Sequence, residues 1–158
     1  MADTARRVTD EFRRVLAGLL PDHEWQVEHA IGDTRVDLAG IGEPWVLVEL
    51  EWRRADPVNN TVSLLRSLGP AGPVAERAVV AQVFTRYYDL ADGGTSTRRR
   101  NAEYAGRLAD EGVTGVRYLP VTLDVTPPRG DGDLPAGWQE AVATAAATIA
   151  EAVEAERP

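Results

Sequence analysis

The sequence predicts an α/β fold: a mixed sheet with helices on both faces. Three observations predict it. The spacing of apolar residues switches from the helical period to a period of two and back several times along the chain. A meander of three strand-like segments precedes two crossover helices. Residues 78–84 are nearly all apolar, as a strand covered on both faces must be. The 158 residues suit a single domain spanning 1–158 with a sizeable core.

Val8, Phe12, Val15, Leu16 and Leu19 recur at helical spacing, and Pro21 follows, so residues 3–20 read as a helix. From Glu24 to Ile31 the period is two, with Trp25, Val27, His29 and Ile31 on one face. His29 reads as a core histidine and His23, in a turn, as exposed. Gly32-Asp33 is a hairpin-like turn, Thr34–Ala39 a second strand, Gly40–Glu43 a turn and Pro44–Arg53 a third strand. Asp56-Pro57 combines an N-cap acid with proline at the first helical position. The helix it opens points Val58, Val62, Leu65 and Leu68 inward and stops at Gly69-Pro70. After the loop GPAGPVAER comes the strand Ala78–Phe84, then the loop DLADGGTST. A helix over Arg98–Asp110 follows, with Gly112 suited to its C-terminal cap. Val116–Val125 alternates again, and Pro120 places it at a sheet edge or bulge. A Pro/Gly-rich loop leads to a last helix buried through Trp138, Val142, Ala145, Ile149 and Val153.

Composition excludes whole classes of chemistry. With no cysteine, disulfides, cysteine zinc sites and thiolate nucleophiles are absent. All 17 basic residues are arginine, which removes Schiff-base chemistry and the phosphate-loop lysine. No apolar run reaches the roughly 20 residues of a membrane span, and the charged N-terminus lacks a signal peptide's apolar stretch. The default expectation is a cytoplasmic protein that does not touch membranes. A net charge of −8 speaks against phosphate binding over the whole surface but leaves room for a local arginine patch.

The segment RVDLAGIGEPWVLVELEWRRADP carries the chemistry. Glu49 and Glu51 are two apart on the third strand, so they share a face, with Arg53 next on it. Asp37 lies on the neighbouring strand and comes opposite Glu49 if the register allows. Carboxylates so placed raise one another's pKa, and a divalent cation or arginine is what relieves them. Hard cations such as Mg²⁺ take one or two carboxylates plus water and substrate phosphate.

This arrangement resembles the PD-(D/E)XK nuclease superfamily, whose restriction-endonuclease-like core runs α-β-β-β-α-β. The resemblance covers about residues 4–84, and the later α-β-α elements, about 98–155, are additions. Val36-Asp37 stands where the family often has Pro-Asp, and Glu49 takes the (D/E) position. Glu51 stands in place of the commoner lysine, as in the superfamily's Glu-x-Glu members. The resemblance implies a nuclease hydrolysing phosphodiester bonds, with DNA the expected substrate. Asp37, Glu49 and the Leu50 carbonyl would hold Mg²⁺ or Mn²⁺, joined by Glu11 on the first helix. Glu51 would bind a second cation or accept a proton from water, and Arg53 would supply positive charge. Arg98, Arg99 and Arg100, with Tyr87 and Tyr88, are the expected nucleic-acid contacts.

Two other readings stand beside this one. The chain could be a catalytically silent module on the same scaffold, serving binding or assembly in a defence or toxin-related system. It could also be an unrelated α/β protein holding a small ligand between strands and helices. Many such nucleases pair to cut two strands, so the resemblance implies a homodimer or a partner protein.

Overall fold

In the computed structural model, which describes residues 2–69, 77–130 and 132–157, the chain alternates helices and strands in the expected order. It runs α1 (Ala2–Leu19), β1 (Glu24–Ile31), β2 (Thr34–Ile41), β3 (Trp45–Glu51), α2 (Pro57–Ser67), β4 (Ala78–Phe84), a 3-10 turn (Arg86–Tyr88), α3 (Thr97–Gly112), β5 (Val116–Thr122) and α4 (Trp138–Ala155). Most of the expected 69–77 loop, residues 70–76, lies outside the described residues. The strands form one sheet in the order β1-β2-β3-β4-β5. The pairs β1–β2 and β2–β3 are antiparallel; β3–β4 and β4–β5 are parallel.

Local chemistry accounts for this topology. A two-residue turn joins β1 to β2, with Ile31 opposite Thr34. Gly32 there adopts a φ of 60°, which costs glycine little and other residues more. Each parallel neighbour is reached through a helix, as a parallel ladder requires. β5 closes one edge of the sheet, and Pro120 sits in it, where a missing N–H is best tolerated.

Helices cover both faces. On one, Phe12 and Leu16 of α1 and Val142 and Ile149 of α4 pack on Leu38, Val46, Val48, Val79 and Ala81. On the other, Leu64 of α2 and Leu68 just after it lie over Val36, Leu47, Val80 and Tyr118, and α3 packs beside α2. No helix among the described residues is long and apolar enough to cross a membrane.

Several local expectations are corrected. The buried stripe of α2 is Pro57, Thr61 and Leu64, continued by Leu68, while Val62 is half exposed. Thr61 turns inward because a buried acceptor, Gln82, awaits it. Asp56 occupies the N-cap position without a side-chain cap bond. Gly112 belongs to α3 itself, and Val113 caps it. His23 is buried, its Nε2 2.7 Å from the Pro44 carbonyl oxygen. His29 is half-buried and bonds Gln26.

The contact between α3 and β5 is close enough to test. A methyl added at Gly106 would overlap the Tyr118 ring. Gly106→Ala therefore sets a helix-propensity gain of about 1 kcal/mol against overpacking that costs about 1–3 kcal/mol. We expect a net loss of stability in urea unfolding; a stabilised variant would mean that the ring is free to move.

Candidate functional site

The β2–β3 ladder stops early. It pairs Leu38 with Val48, Ala39 with Leu47 and Gly40 with Val46, whereas β3 stays paired with β4 through Glu51 and Phe84. The next step of the register would set Asp37 against Glu49, and there the strands part. Val36 packs on the α2 side of the sheet and Leu38 on the α1 side, although residues two apart share a face in a regular strand. Glu28, between the pairs Val27–Leu38 and His29–Val36 and itself unpaired in the β1–β2 register, has a φ of 49°, a conformation unusual outside glycine. The irregularity turns Asp37 toward the freed edge of β3. Its Oδ2 accepts the Leu50 N–H at 2.7 Å, taking the place of a ladder carbonyl. The Leu50 carbonyl leaves the strand on the same edge as its N–H.

Glu49 is 7% exposed and Glu51 fully buried, on the face under α2. Burial holds the Glu49 carboxyl well above its usual range, and the Asp37 charge, a hydrogen bond shared with Asp37 and the Glu51 charge push the same way. Glu51 is also raised by burial, but amide donors oppose it. Gln82 Nε2 donates to Oε1 at 2.9 Å, and Asn60 Nδ2 lies 3.1 and 3.2 Å from the two oxygens. Gln82 is held in turn: its Oε1 accepts from Thr61 at 3.0 Å and from Tyr118 at 2.6 Å. The structure thus brings Asp37 and Glu49 together and gives Glu51 to an amide network. Asn60, Thr61, Gln82 and Tyr118 were not expected in this role. The one polar residue in an otherwise apolar strand, Gln82, was the signal available.

The remaining expected residues are dispersed. Glu11 is bound by Arg14 at 2.6 Å. A cavity of about 290 Å³ beside Asp37 and Leu50 is lined from α1 by Asp3, Arg6 and Asp10 instead. Arg53 lies over the Tyr87 ring, 5.7 Å from its centroid, and donates to the Pro128 carbonyl. The guanidinium whose charge acts on Glu49 and Glu51 is that of Arg54, which also donates to Asn60 Oδ1 at 2.9 Å. Arg99 is buried over Phe84 and bound to Glu103 and Thr122. Tyr88 is 1% exposed, its hydroxyl held by the Arg54 backbone. Arg98, Arg100 and Tyr87 are the exposed members of that set.

As donors for a hard cation, the site offers the Asp37 and Glu49 carboxylates and the Leu50 carbonyl. Two carboxylates are within Mg²⁺'s usual complement, and a bound cation would relieve the burial and the Asp37 charge that raise Glu49. Among the described residues, no group of three or more His, Cys, Asp and Glu is placed to hold a metal ion. The chain matches no protein-family profile and no curated protein sequence.

Two expected outcomes follow from this geometry. Between the usual 4.5 of glutamate and its raised value in the fold, Glu49 keeps a proton that the unfolded chain has released. Its contribution to stability is therefore full below that range and is lost as pH rises through it. In metal-free buffer, Glu49→Gln should flatten this fall in a urea–pH series; an unchanged slope would contradict the assignment. Gln82→Leu leaves the Tyr118 hydroxyl without its partner, while Thr61 keeps the Pro57 carbonyl and Glu51 keeps Asn60. It should cost about 1–3 kcal/mol, the scale of one buried group left unsatisfied, measured by the same unfolding.

Proposed function

We propose that the chain is a divalent-cation-dependent nuclease with a restriction-endonuclease-like core, cleaving phosphodiester bonds of DNA in the cytoplasm. The observation that carries this reading is the meeting of Asp37 and Glu49 beside Leu50, where β2 leaves β3. The element order from α1 to β4 supports it. So does the position at the carboxyl ends of the parallel strands β3 and β4, where α/β sheets commonly place their ligands.

Asp37, Glu49 and the Leu50 carbonyl would hold Mg²⁺ or Mn²⁺. When bound, such an ion neutralises phosphate charge and lowers the pKa of a coordinated water. The chain's own groups set the geometry around it. The Leu50 N–H fixes the Asp37 carboxylate, and the Gln82 and Asn60 amides fix Glu51. Arg54 places a permanent positive charge beside the acids, a role open to a guanidinium because it does not deprotonate.

A second reading, a nuclease-like scaffold without cleavage that serves binding or assembly, is favoured by one observation. The carboxylate standing at the lysine position is fully buried and bound to amides, so it is not poised to take a proton from water.

Cleavage of plasmid and oligonucleotide DNA with Mg²⁺, Mn²⁺ or chelator decides between them. We expect cation-dependent cleavage that Asp37→Ala lowers by about 100-fold or more, the scale of losing a charge-stabilising group, with an unchanged circular dichroism spectrum. Equal cleavage by parent and variant would refute the site. Binding of DNA without cleavage under any cation would favour the silent module.

A further inference from the structure

The carboxyl ends of β3 and β4 carry a second feature that the acidic pair does not use. Tyr87, in the 3-10 turn after β4, is 40% exposed. It is nonetheless held in place. Its backbone N–H donates to Thr85 Oγ1 at 3.4 Å, and its ring meets that of buried Tyr88 edge to face, 5.2 Å between centroids. The Arg53 guanidinium lies 5.7 Å from the ring centroid, itself pinned to the Pro128 carbonyl at 3.2 Å. Arg98, exposed on the first turn of α3, lies with Nη1 3.4 Å from the Tyr87 hydroxyl. Beside the ring is a cavity of about 390 Å³, lined by Tyr87, Asp89, Leu90, Ser96, Thr97 and Arg98. The Asp89 charge is partly offset by Arg86, which pairs with it at 2.9 Å and with Asp124 at 2.9 Å.

We infer that Tyr87, with Arg98 beside its hydroxyl, is a platform for one unstacked nucleotide of single-stranded DNA, the base lying against the ring and a flanking phosphate on the Arg98 guanidinium. The inference rests on the nuclease reading for its place beside a cutting site, and it adds a preference for substrate form. The cavity is large enough for a nucleobase by the ordinary scale of ligand pockets. An exposed, immobilised aromatic ring binds bases of any sequence through their faces. A paired base is stacked on its neighbours and must leave the stack to offer that face, so duplex DNA is disfavoured. The chain's net charge of −8 fits such a local contact: Arg98 meets the strand where the rest of the surface repels it.

The test needs no cleavage. Labelled single-stranded and duplex oligonucleotides are titrated with the full chain in chelator, followed by fluorescence anisotropy. We expect the single strand to bind more tightly than the duplex, and Tyr87→Ala to weaken it about 10-fold, within the range for losing one stacked base. Tyr87→Phe should keep most of the affinity, since the ring remains. One phosphate contact gives a slope of about −0.7 for log K against log salt, and Arg98→Ala should abolish it. Melting curves verify that each variant is folded. Single-strand affinity unchanged in Tyr87→Ala, duplex bound as tightly as single strand, or no DNA bound at all would each overturn the inference. Cleavage surviving alongside such a result would leave the nuclease reading in place. A Tyr87-dependent binder that never cleaves would remove that reading and leave the platform.

Discussion

Two carboxyl groups are held in a gap that the sheet itself opens, and the rest of the site is arranged around that fact. β3 keeps its partner β4 to its last residue, while β2 is paired with β3 only from Leu38 onward and is parted from it before that residue. An abandoned strand edge exposes an N–H that must find an acceptor, and the Asp37 carboxylate supplies it to Leu50. The same movement carries Asp37 to Glu49, which burial already disfavours as an anion. Backbone hydrogen bonding, not attraction between the side chains, is what assembles this pair.

The neighbouring Glu51 shows how the fold tolerates a further acid at full burial. An unpaired carboxylate in that position would be costly, so the surrounding residues are polar where an apolar core would otherwise continue. Gln82 spends its amide on Glu51 and its carbonyl on Thr61 and Tyr118. Asn60 links Glu51 to Arg54. The network also sets the rotation of α2, because Thr61 rather than Val62 must face the sheet. Close approach of α3 at Gly106 accommodates Tyr118 in the same layer. Site and packing on this face are one construction.

Much of the architecture was legible from the order of periods along the chain, because a two-residue turn and two intervening helices restrict how five strands can pair. Element ends were less so: β3 ends at Glu51, not Arg53, and β5 at Thr122, not Val125. The proximity of Asp37 and Glu49 could be anticipated from strand spacing. The fork could not, since it depends on an irregular backbone at Glu28 that no residue type announces. Counting apolar positions misplaced the inward face of α2, because a buried hydrogen-bond acceptor outweighs one exposed valine. Treating neighbouring arginines as one patch failed for a similar reason. A helix sends successive side chains in different directions, so Arg99 enters the core while Arg98 and Arg100 stay outside. Tyr87 and Tyr88 divide in the same way.

Titration calorimetry with Mn²⁺ on the metal-free chain addresses the central claim most directly. Burial favours the protonated form of Glu49, so a cation bound there must displace its proton. The account therefore predicts one ion bound per chain, with proton release seen as a heat that varies with the ionisation enthalpy of the buffer. No binding at millimolar Mn²⁺, or binding equally strong in Asp37→Ala, would contradict it.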